Sequence, residues 1–163
     1  MKKTVLFGAI VALGLGTVGC SSDDSNSSQQ YKNDIQGEWV EVITLFLDED
    51  RKIIAEELAT DNEGCGFDEV EFKGYKLISK SPFKSGEGAD CQVDIEENEF
   101  TLAGRAITIK IQGEEEEVEV LTSTIVEVSA STLTIEYKDV KDDFPERVAY
   151  IQTKHRKKGT LSE

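Results

Sequence analysis

The chain has 163 residues, a formal net charge of −15 and 38% hydrophobic residues, which suits one folded domain. Its acidity repels phosphate and excludes nucleic-acid binding. The basic run Lys154-His155-Arg156-Lys157-Lys158 reads as a solvated strand end.

Met1-Lys2-Lys3 is a short positive start, and Thr4 to Gly19 carry no charge. That apolar run is shorter than the roughly 20 residues of a membrane span. Charge, apolar core and small residues in that order are the layout of a secretory signal peptide, residues 1–19. Thr17-Val18-Gly19-Cys20 resembles the lipobox of bacterial lipoproteins. The resemblance implies cleavage before Cys20, a lipid on that cysteine, and anchoring in the lipid bilayer. Ser21 resembles the outer-membrane sorting residue, and Cys20-Ser21-Ser22-Asp23-Asp24 is similar to the acidic export tag on surface lipoproteins of Bacteroidetes. The expected location is therefore the cell envelope, as an outer-membrane lipoprotein. Ser, Asp, Asn and Gln dominate the next residues, and such a composition buries too little apolar surface to offset its ordering entropy. Residues 20–34 are accordingly expected to be a lipidated cysteine followed by a flexible tether.

With Cys20 acylated, Cys65 and Cys91 remain. An even remainder in an exported chain reads as one disulfide, with metal binding as its rival. Two isolated cysteines and one histidine, without a Cys-x-x-Cys pair, give a metal little to hold on to. No metal and no cofactor are expected.

Beyond the tether the pattern is strand after strand. Trp39 to Leu47 is β-branched and aromatic. Ile53 to Thr60 is ambiguous between a strand and a helical turn. Phe67 to Lys73, Tyr75 to Ser79, Gln92 to Ile95 and Phe100 to Ala103 are shorter strand candidates. Ile107, Ile109 and Ile111 face one way, with Thr108 and Lys110 facing the other. Val118 to Val120 and Ile125 to Val128 make another run. Leu133, Ile135 and Tyr137 alternate again, and Val148 to Thr153 is the last strand. Pro82 and Pro145 are expected in loops. Alternation of one apolar and one polar face indicates antiparallel pairing with one side solvated. Eight or nine short strands with hairpin turns make a meander or a sandwich; a single meander must hide its edges, and closure into a barrel does so. The expected fold is all-β: an antiparallel up-and-down barrel of about eight strands over residues 35–158, with residues 159–163 as a tail.

Ile35-Gln36-Gly37-Glu38-Trp39 resembles the Gly-x-Trp opening of lipocalins. The order of Gly-x-Trp, Cys65, Phe67–Phe72, Cys91, Val128–Ile135 and a basic last strand is similar to the lipocalin-like, or calycin-like, domain of bacterial lipoproteins. The resemblance implies that Gly37 and Trp39 close one barrel end, with Trp39 packed on a basic side chain of the last strand. Arg156 or Lys154 matches that position, Arg156 being the first choice. Such a cation–π pair is worth about 0.5–2 kcal/mol.

Catalytic patterns are missing from the sequence. His155, the single histidine, sits in the basic run and is expected at an exposed strand end. There is no Gly-x-Ser-x-Gly elbow and no His-Glu-x-x-His zinc motif. Paired carboxylates of the glycosidase type are not singled out among 33 acids. Glu114-Glu115-Glu116-Glu117 reads as a soluble hairpin turn rather than a calcium site, since no Asp-x-Asp-x-Asp-Gly loop accompanies it. The expectation is a non-catalytic protein. In the first reading, Ile107, Ile109, Ile111, Leu133 and Ile135 line an apolar lumen that takes a small hydrophobic ligand. In the second, the same side chains fill a packed core. The protein then meets a protein partner through its acidic outer face or through loops near Phe83 and Phe144.

Overall fold

The computed structural model describes residues 23–112, 118–138 and 147–159. Helix α1 (Asp23–Asp34) precedes nine strands: β1 (Gly37–Leu47), β2 (Ile53–Leu58), β3 (Glu69–Lys73), β4 (Lys76–Lys84), β5 (Cys91–Ala103), β6 (Ala106–Gln112), β7 (Val118–Val128), β8 (Thr132–Lys138) and β9 (Tyr150–Lys157). From β3 to β9 each strand pairs antiparallel with the next in sequence. β1 closes the ring by pairing along its length with β9 and, through Gly37–Val40, with β3. β1 and β3–β9 thus form a closed eight-stranded up-and-down barrel, the architecture expected from the alternation. The rest of β1, Ile43–Leu47, pairs with β2, which lies outside the ring as a hairpin arm.

One open segment is settled, and others differ from the sequence reading. Ile53 to Leu58 is a strand, because the tight turn through Asp48 brings it back onto β1; Asp48 Oδ1 accepts hydrogen bonds from the backbone of Asp50 and Lys52. Gln92–Ile95 and Phe100–Ala103 belong to one long strand, β5, paired without a break along Lys76–Lys84 of β4. Pro82 lies within β4 rather than in a loop. β3 pairs with β4 only as far as Lys80, so the N–H that the proline ring lacks would point to an unpaired edge.

The core gathers at one end of the barrel. Ile35, Trp39, Phe72, Phe100, Ile107, Ile125 and Leu133 are all buried there, and Phe72 meets Phe100 edge to face at 5.4 Å. Trp39 Nε1 donates to the Ile35 carbonyl at 2.7 Å, so its one polar group is satisfied inside.

Residues 23–34 are not a flexible tether but a helix docked across this end. Ser27, Ser28, Tyr31 and Lys32 lose exposure, and with Ile35 just beyond the helix they fall on one helical face. Ser28 Oγ accepts from the Gly104 N–H at 2.6 Å, and Arg105 Nε donates to Tyr31 Oη at 2.8 Å. Lys32 Nζ stands 3.4 Å from the Tyr75 ring centroid. Gly74 N–H donates to Gln36 Oε1 at 2.7 Å. The helix is polar throughout, and these few anchors to the β3–β4 and β5–β6 turns hold it where composition alone predicts freedom. Residues 1–22, with Cys20, lie outside the described residues, as do Glu114–Glu117, Phe144 and Pro145.

Candidate ligand site in the barrel mouth

The barrel interior has two halves. The first is filled by the Trp39 cluster. Above it a cavity of about 500 Å³ opens toward solvent. Phe72 and Ile107 form its floor, because both belong to the buried core as well as to the lining. Its apolar wall is Val70, Leu77, Ile109, Val120, Leu121 and Ile135, and Thr122, Ser123, Tyr137 and Lys138 complete the lining. The strand period places these side chains together. Ile107 and Ile109 on β6 stand opposite Ser123 and Leu121 on β7, and cross-strand partners share a face. Ligand pockets run from about 300 to 1,000 Å³, with mostly apolar walls and few polar groups. This mouth has that size and that lining.

Of the five residues expected to line a lumen, Ile107, Ile109 and Ile135 do so. Leu133 does not: it is fully buried in the Trp39 cluster. Ile111 is half-buried and lies outside the cavity lining. Val70, Phe72 and Leu77 were legible only as members of strand runs, and Leu121 fell between the runs Val118–Val120 and Ile125–Val128. Which of them meet at one cavity depends on the register between strands.

The closed end holds the expected pairing of Trp39 with a cation of the last strand, but with a different cation. Lys157 Nζ, not Arg156, lies over the Trp39 ring, 4.3 Å from its centroid. Register decides this: Lys157 stands opposite Trp39, whereas Arg156 stands opposite Val40 with its side chain exposed. Lys157 Nζ also donates to the Gln36 carbonyl. Gly37 has φ +110, and a Cβ there would sit 3.0 Å from the Lys157 side chain, so this glycine serves both backbone and packing.

His155 is likewise not an exposed strand end. It is 7% exposed, because β9 runs on to Lys157 and turns His155 inward beside Leu133. Its Nδ1 has no hydrogen-bond partner among the described residues. Burial pushes the imidazole down to about 4, against smaller opposing effects from the Leu133 and Thr153 backbone. It is thus neutral at physiological pH.

Cys65 and Cys91 form a disulfide with Cα atoms 5.4 Å apart, tying the segment before β3 to the start of β5. Sulfurs bonded to each other cannot serve as thiolate ligands, so the rival metal reading of this pair falls. Among the described residues, no group of three or more His, Cys, Asp or Glu is placed to hold a metal ion. On the outer wall Lys80 bridges Glu38 (2.8 Å) and Glu71 (2.9 Å), and Lys158 reaches Glu69 at 2.7 Å. The hydrogen bond from Lys80 holds the Glu38 carboxyl below its usual range.

The fold and cavity define a class, a closed eight-stranded antiparallel up-and-down barrel with an apolar mouth. The chain is similar to a lipocalin-like protein from Bacteroides uniformis ATCC 8492 known from a crystal structure. The identity is 13% over 76% of this chain and 98% of that chain, with a TM-score of 0.46. No protein-family model and no curated protein matches the chain.

Proposed function

We propose that this protein is a non-catalytic, envelope-anchored binding module that holds a small hydrophobic molecule in the barrel mouth. The observation that carries the reading is the cavity of about 500 Å³ with an aliphatic and aromatic wall. Burial of apolar ligand surface there gains about 25 cal/mol per Å². Thr122, Ser123, Tyr137 and Lys138 in the lining offer hydrogen bonds to a polar end of the ligand. In this reading the lipid on Cys20 anchors the chain in the outer membrane, and α1 seats the barrel close behind the anchor.

A second reading, a packed barrel that acts through its surface on a protein partner, draws support from the filled half around Trp39. Native mass spectrometry of the full chain, purified without denaturation, separates the two. The expected result is an added mass of a few hundred daltons that is lost on unfolding and absent from Ile109→Trp, whose side chain fills the cavity. A chain that carries no such mass and takes up no apolar fluorescent probe would transfer the assignment to the surface reading.

A further inference from the structure

β5 and β6 pair over Phe100–Ala103 and Ala106–Ile109, yet both strands continue past that pairing. β5 runs back to Cys91 with β4 along one edge. Among the described residues no strand pairs with the other edge of the Cys91–Glu99 stretch. The Phe100 N–H donates to the Tyr75 carbonyl at 2.9 Å. Backbone groups alternate sides along a strand, so the even-numbered residues turn theirs to β4. Val93, Ile95, Glu97 and Glu99 then turn their N–H and C=O groups to the open edge. All four residues are exposed. Where β5 and β6 part, a cleft of about 710 Å³ opens, with Glu97, Glu99 and Phe100 on one side and Thr108 and Lys110 on the other. A strand edge of this kind is a template for an added strand.

The side chains along the edge select the occupant. Val93 and Ile95 put exposed apolar surface on one face, 53% and 61% accessible. Asp94 and Glu96 alternate with them onto the other face and make no ion pair among the described residues. A second copy laid on the edge would set acid against acid, which disfavours self-pairing. The geometry points to an extended segment of another protein, with Lys or Arg at alternate positions and apolar residues between, added as a strand beside Val93–Glu96. Its basic side chains lie against Asp94 and Glu96, and its apolar ones against Val93 and Ile95. This docking edge is separate from the cavity and does not depend on a ligand there.

The test uses the full chain and a synthetic peptide of alternating Lys and Val. Binding should slow amide exchange at Val93, Ile95 and Glu97 by roughly tenfold or more. Ile95→Pro removes an edge N–H while leaving the β4 pairing intact, and should lose the peptide. The double variant Asp94→Lys, Glu96→Lys should weaken it at least about tenfold. The same peptide N-methylated along one edge, offered to the unaltered chain, should not bind, which keeps the test decisive if Ile95→Pro fails to fold. Failure of the peptide to bind would overturn the inference. So would equal binding of the N-methylated peptide, unchanged exchange along β5, or protection of that edge by dimerisation of the chain itself.

Discussion

Two neighbours on β9 have opposite fates although both are long cations. Lys157 lies over Trp39 and donates to the Gln36 carbonyl, while Arg156 points outward. Lys157→Met should therefore lower stability by about 1–2 kcal/mol, the worth of a sheltered cation–π contact. Arg156→Met should change it by less than about 0.5 kcal/mol. Paired urea titrations of the two variants read this difference, and equal effects would contradict the register. His155 carries a pH dependence. Its folded value of about 4 lies below the ordinary 6.5, so the unfolded chain takes up the proton first as pH falls. The stability is fully present above pH 6.5 and is lost progressively between 6.5 and 4. A depression of about 2.5 (6.5 less 4) corresponds to about 3 kcal/mol. Denaturant midpoints across that window should fall for the natural chain by more than for His155→Leu. Parallel curves would show that another group carries the slope.

At the scale of elements, the strands were legible because a half-buried strand repeats every two residues, and Ile107–Ile111 and Leu133–Tyr137 obey that period. Boundaries were less so. Nothing local joins Gln92–Ile95 to Phe100–Ala103; the continuous partner that makes them one strand is β4. The last strand was expected to end at Thr153, but β1 and β8 pair with it up to Lys157 and Arg156. Helix α1 was missed because its composition is polar. The available signal was Tyr31 and Ile35, one helical turn apart on the face that also holds Ser27, Ser28 and Lys32. Tyr31→Ala removes the ring that packs on the core and accepts from Arg105. It should cost about 1–3 kcal/mol and speed amide exchange through residues 23–34 ahead of the barrel. Exchange in the helix that matched the natural chain would show that other anchors hold it.

For the whole molecule, the sequence by itself determined the class of fold. Alternating apolar residues in eight or nine short runs, with hairpin turns between them, admit few outcomes other than a closed antiparallel barrel, because each open edge is a liability in water. It also singled out Gly37 and Trp39, the Cys65–Cys91 bond and part of the cavity wall. Only the tertiary structure decided how the interior is divided into a filled end and an open mouth. Parity assigns a side chain to a face, but depth along the barrel depends on the stagger between strands. That stagger puts Leu133 under Trp39 and leaves Ile107 and Ile109 at the cavity. Tertiary structure likewise chose Lys157 over Arg156 and turned His155 inward, since a shift of one residue exchanges the two faces of a strand. The unpaired edge of β5 has the same origin: it exists because β4 and β6 engage different lengths of one strand, and no local pattern records where a partner stops.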